Sequence, residues 1–157
     1  MELTHQETVA VNAPVEAVYR LVSDVTRTGE WSPTCRSCTW EDPQQRGVGA
    51  RFTGDNETPA RQWNTTSTVV AAEPGEEFAW EVGQGFVRWG YLLAEHEVGT
   101  RMTQTWEFTE AGQEFFQKQY GDDAQAQIAQ RTGSARDDMP RTLAAIKEIA
   151  EREHAEG

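Results

Sequence analysis

Positive charge is scarce in this sequence. Lysine and arginine number 14 against 26 aspartates and glutamates, a formal net charge of −12, and the cations stand singly with acids between them. A surface of that sign repels a phosphate backbone, which excludes nucleic acid as a general partner. Cysteine is almost missing. Cys35 and Cys38 have metal-like spacing, yet no second pair or histidine cluster stands by to complete a four-ligand site. No apolar run approaches the stretch of about 20 residues that spans a membrane, and the opening MELTHQETVAV lacks the basic start and apolar stretch of a signal peptide. The expectation is a cytoplasmic protein, monomer or homodimer, with no integral membrane association, no metal and no cofactor.

A chain of 157 residues suits one domain, taken as 1–157. At about 150 residues a globular chain buries about 68–70% of its unfolded surface, so neither disulfide nor metal is required to hold it. Large rings are abundant: six Trp, six Phe and three Tyr. They bury much area and must face a core, a cavity or a partner.

Hydrophobic periodicity orders the chain. Thr8 to Val11 alternates as a strand; behind Asn12-Ala13-Pro14, Val15, Val18, Tyr19 and Val22 fall at helical spacing, and a second short helical piece covers Val25 to Trp31. From Thr34 to Phe108, short β-branched and aromatic runs alternate with turn signals such as Gly54-Asp55-Asn56 and Glu73-Pro74-Gly75. Strands are predicted over 35–41, 49–56, 61–72, 77–82, 86–96 and 100–109. A polar, Gln-rich helical stretch covers Glu114 to Arg131. Met139, Leu143, Ile146 and Ala150 then mark a last helix, capped by Asp137 or Asp138 with Pro140 in its first turn. Seven antiparallel strands with helices gathered on one side make an α+β architecture.

Strand side chains alternate between faces. One common inner face collects Cys38 and Trp40; Ala50, Phe52, Gly54 and Asn56; Trp63, Thr65, Ser67, Val69 and Ala71; Phe78, Trp80 and Val82; Trp89, Tyr91 and Leu93; and Met102, Gln104, Trp106 and Phe108. Cys35, three residues before Cys38, falls on the other face. Small and polar residues interrupt the rings. That mixture suits a ligand cavity, mainly aromatic with a few orienting polar groups, and a plain core under the last helix stands as the alternative.

Several segments carry a family likeness: VNAPVEAVYRLVSDV, GEWSP, VGARFTGDN, VVAAEPGEEFAWEV and GTRMTQTWEF. With them the chain resembles the START-like, helix-grip superfamily (SRPBCC), in its polyketide cyclase/dehydrase branch, and the resemblance covers residues 5 to 153. The resemblance implies a helix-grip fold: a curved seven-stranded antiparallel sheet wrapped around a long C-terminal helix, two short helices after strand 1, and a hydrophobic cavity between sheet and helix. It also implies a hydrophobic small-molecule ligand, lipid or polyketide-like, and a bacterial origin is suggested by the Arg, Ala and Gly bias.

The residues expected to line the cavity are Trp31 and Trp40 near its mouth and Phe52, Trp63, Trp80, Trp89, Tyr91 and Trp106 on its wall, with Asn56 and Gln104 as polar anchors. Binding or carriage is the first reading. An alternative is a cyclase or aromatase using the same cavity, with Tyr91 or Gln104 polarising a carbonyl; it requires an acid or base, and no inward Asp, Glu or His is evident. His5, His96 and His154 sit at places that are usually solvated. A second alternative, a co-chaperone-like interaction module, would need an outer apolar patch, which the outward faces do not offer. The stretch from Glu114 to Arg131, with Phe115 and Phe116, reads equally as a lid over the cavity or as an ordinary connection.

Overall fold

The alternation translates directly into pairing. In the computed structural model, which describes residues 2–157, the strands are β1 (Leu3–Val11), β2 (Cys35–Trp40), β3 (Arg51–Thr58), β4 (Arg61–Glu73), β5 (Glu77–Val82), β6 (Val87–His96) and β7 (Gly99–Phe108). They form one antiparallel sheet in the order β1-β7-β6-β5-β4-β3-β2, a meander closed by the first strand. Helix α1 (Val15–Val22) and a 3-10 helix (Val25–Glu30) follow β1, and α2 (Glu110–Tyr120) and the long α3 (Ala124–Glu156) follow β7. This is the expected α+β helix-grip arrangement.

Helix α3 packs mainly along β1, with further contacts to α2, α1 and β7. Val11, Val18, Met102 and Ile146 are fully buried where α1, α3, β1 and β7 meet, and Met139 is fully buried in the cluster of Trp106, Phe108 and Ile128, each contributing about 1.5–3 kcal/mol of transfer free energy. Polar ties fix the end of α3. Lys147 Nζ donates to the Ala10 carbonyl at 2.7 Å and to Glu151 at 2.6 Å, while Glu151 accepts the Asn12 backbone N–H at 2.8 Å. Arg27, in the 3-10 helix, bridges Glu30 (2.6 Å) and Glu153 (3.0 Å).

Four sequence expectations are corrected. Strand β1 begins at Leu3 rather than Thr8; its inward residues Leu3, His5 and Glu7 are not uniformly apolar, which hid the alternation. The last helix begins at Ala124, so Asp137 and Asp138 are interior residues and Pro140 lies inside the helix, exposed to solvent, rather than in its first turn. A bulge between Val69 and Ala71 shifts the register, so Ala72, not Ala71, shares a face with Phe78. A second bulge, between Cys35 and Ser37, turns both cysteines to the inner side, where each is buried.

Candidate functional site

Registered pairs run across the concave face in rows. One row reads His5, Trp106, Trp89, Trp80, Val69; the next reads Glu7, Gln104, Tyr91, Phe78, Ala72. Toward β2 the rows are Thr65, Gly54, Cys38 and Trp63, Asn56, Cys35. The rings join into two strings. Trp40, Phe52, Trp80 and Tyr91 touch in sequence at centroid distances of 5.5, 6.1 and 5.9 Å. Trp89, Trp106, Phe108 and Phe116 follow at 6.5, 6.3 and 4.9 Å.

Six of the predicted site residues are packed away. Trp31, Trp40, Phe52, Tyr91, Gln104 and Trp106 are all buried, so Trp31 and Trp40 belong to the packed interior rather than to a mouth. Asn56, Trp63, Trp80 and Trp89 point inward yet are only half-buried, and Thr65 and Val82 share that state. Inward side chains that keep solvent contact mark where the concave face is open, and α3 makes its close approaches elsewhere, along β1 and β7. Two open recesses of about 560 and 610 Å³ lie apart from these residues, beside α1 and around Arg88 and Glu107.

Polar groups are placed around the open part. The Asn56 amide Nδ2 faces Thr65 Oγ1 at 3.3 Å and the Trp63 carbonyl at 3.4 Å, which fixes its orientation. Arg61 lies over the Trp63 ring at 3.8 Å and Arg131 over Phe116 at 5.5 Å. Burial, then the charge of Arg61, lowers the Arg131 pKa, with Tyr120 opposing both. Arg131 donates to the Gln130 side chain at 3.1 Å. Among the described residues neither guanidinium has a carboxylate within ion-pair distance, a notable economy in a chain of net charge −12. Arg61 shares strand parity with Trp63 and was legible from alternation; Arg131 falls in the predicted helical stretch, but its place over Phe116 depends on how α3 packs.

Beneath, Tyr91 is neutral: burial pushes its phenol well up, and the Trp31 side chain only partly offsets this. Gln104 Oε1 is buried with no hydrogen-bond partner among the described residues, although buried carbonyl oxygens are normally bonded. His5 lies on the inward-facing parity of β1 and is half-buried, with Nε2 buried and 3.4 Å from Glu7 Oε1. An acid and a base therefore do stand on the inner face, contrary to expectation, while His96 and His154 are exposed. The Glu114–Arg131 stretch divides into the end of α2, a turn and the start of α3; Phe116 packs on Phe108 and Phe115 stacks on Phe86.

A family profile described as polyketide cyclase / dehydrase and lipid transport matches residues 3–135. The chain belongs to this family. A polyketide-cyclase-like protein of Corynebacterium glutamicum, Cgl2372, is 46% identical, with a TM-score of 0.73 over 98% of this chain and 94% of that one. Protein NE0264 of Nitrosomonas europaea, 16% identical, superposes with a TM-score of 0.71 over 98% and 97%. The di-domain ARO/CYC protein StfQ of the steffimycin biosynthetic pathway, 14% identical, gives 0.69 over 98% of this chain and 52% of StfQ. The last two likenesses concern the fold. No match was found among curated proteins. The family's description covers polyketide cyclisation or dehydration and lipid transport, and no described helix is long and apolar enough to cross a membrane.

Proposed function

We propose that the protein binds an apolar, ring-bearing small molecule, lipid or polyketide-like, on the open part of the concave face. Its apolar body lies over Trp63, Trp80 and Trp89, and an anionic or acceptor-rich end meets Arg61 and Arg131, with Asn56 as a neutral anchor. The observation that carries this reading is the set of inward-facing but half-buried rings. Covering one such ring with ligand contributes about 1.5–3 kcal/mol, enough for roughly tenfold or more in affinity. A suitable probe is an anilinonaphthalene sulfonate, which is both apolar and anionic. Saturable one-to-one binding, weakened about tenfold by Trp89→Ala without a change in circular dichroism, supports the proposal. Absence of saturable binding, together with only the bare chain in native mass spectrometry of freshly purified protein, refutes it.

A second reading is favoured by one observation, the inward His5 and Glu7 pair beside Gln104 and Tyr91. In a cyclase, Glu7 or His5 would take an α-proton while the Tyr91 hydroxyl donates to the carbonyl oxygen. Cyclised product from a poly-β-keto thioester, lost in Glu7→Gln, would establish this reading; product formed equally by both proteins would remove it. The exposed apolar residues Val48, Leu92, Val98 and Phe115 stand on separate elements, and a co-chaperone-like role has no comparable observation behind it.

A further inference from the structure

The two cysteines of the chain are neighbours in space because a bulge makes them so. On a regular strand, residues three apart point to opposite faces. Here Cys35 is registered opposite Asn56 and Ser37 opposite Asp55, so Arg36 is the extra residue and the strand turns over between Cys35 and Cys38. Both thiols then face inward, Sγ to Sγ at 3.2 Å. Each residue keeps 9% of its surface exposed. Gly54 leaves room for the pair: a Cβ there would lie 3.5 Å from the Cys38 sulfur and 3.7 Å from that of Cys35.

We propose that Cys35 and Cys38 form a peroxide-reactive dithiol that closes reversibly to an intramolecular disulfide. The two sulfurs have distinct roles. The Cys35 thiol donates to the Ser37 carbonyl at 3.4 Å, an acceptor that favours its protonated form, so Cys38 is the sulfur freer to ionise, and the contact between the two sulfurs lowers the Cys38 pKa while that of Cys35 is raised; a thiolate rather than a thiol is the nucleophile. The Cys38 thiolate attacks the O–O bond of a hydroperoxide, forming a sulfenic acid and releasing an alkoxide that takes up a proton to leave as the alcohol. The Cys35 sulfur then attacks the sulfenic sulfur; its S–H proton and the departing hydroxide leave as water. Two thiols lose two electrons and the peroxide gains them. Closure needs the sulfurs to approach by about 1 Å from their present separation. The bond would form in the wall beside Asn56 and Gly54, next to the open part of the concave face.

The test treats the reduced full-length protein with stoichiometric hydrogen peroxide, followed by thiol alkylation and intact mass measurement. The expected product is a monomer lighter by two hydrogens, unable to take alkylating agent, and restored by dithiothreitol. In Cys35→Ser a sulfenic acid persists and is trapped by a cyclic 1,3-dione. In Cys38→Ser peroxide consumption slows at least tenfold. Retention of both thiols in the wild-type protein, a disulfide-linked dimer as the main product, or equal peroxide reactivity of Cys38→Ser and wild type would overturn the proposal. The wild-type measurement decides the matter even if a serine variant fails to fold.

Discussion

The carbonyl of Arg36 lies against Gly29 so closely that a Cβ on that glycine would overlap it. Arg36 is the bulged residue of β2, and Gly29 belongs to the 3-10 helix that packs on β2. Gly29 thus makes room for the bulge that turns the two cysteines inward. Gly29→Ala should cost about 1–3 kcal/mol through overpacking, read as a lower urea midpoint. It should also slow closure of the Cys35–Cys38 disulfide, since relief of the clash moves the strand. An unchanged midpoint would mean that the 3-10 helix can slide away freely.

Arg61 and Arg131 make a separable prediction about the guest. Both guanidiniums stack on rings, and among the described residues neither has a carboxylate within ion-pair distance, so replacing one removes charge without orphaning an acid. Arg131→Gln should weaken the anionic sulfonate probe several-fold while leaving a neutral naphthalene probe within twofold, and added salt should narrow the difference. Equal loss for both probes would assign Arg131 a packing role instead.

The sheet and its inner face were legible because four strands had to agree. Trp63, Trp80, Trp89 and Trp106 can share a face only in one choice of parity, and the register bears that choice out for all four. Alternation cannot register a residue that breaks the ladder. Arg36 and the Val69–Ala71 irregularity each shifted the parity of what lay beyond them, so Cys35 and Ala71 were placed on the wrong side. Local capping rules misled at Pro140, where packing of Met139 and Leu143 carries the helix past a residue that would ordinarily start one. Residue type hid His5 and Glu7, because polar residues on an inward face read as solvent side chains. The ring-lined site was visible in outline, yet which rings are packed and which are open depends on where α3 lies, and that is a tertiary fact.

Acid should loosen the end of α3 before the sheet. Arg27 holds Glu30 and Glu153 below their ordinary pKa of 4.5, and Lys147 with the Asn12 N–H does the same for Glu151. For carboxylates depressed in the folded state, the stabilisation is complete above the unfolded value and is lost as pH falls through the folded one. Amide exchange around Asn12 and in the last turns of α3 should therefore accelerate, relative to the sheet, as pH drops below about 4.5. These acids are largely solvent-exposed, so salt should blunt the effect. Arg27→Gln should flatten the dependence at the Glu153 end, and Lys147→Gln at the Asn12 end; parallel behaviour of both variants and wild type would refute the assignment.

Pro140 offers a test of what the long helix is built to do. It lies within α3 and is exposed, while its neighbours Met139 and Leu143 are 0% and 3% exposed and carry the packing. Proline there removes one backbone donor and crowds the preceding turn, at a cost of about 3 kcal/mol in a helix interior. Pro140→Ala restores the donor and leaves the buried neighbours alone, against a loss of about 0.4–1 kcal/mol from a freer unfolded chain. The net expectation is a gain of about 1–3 kcal/mol, seen as a higher urea midpoint and a melting temperature raised by roughly 2–4 °C for each kcal/mol. A lower midpoint would show that α3 needs the bend proline imposes to follow β1, and the sulfonate probe would then bind the variant differently because the helix bounds the open face.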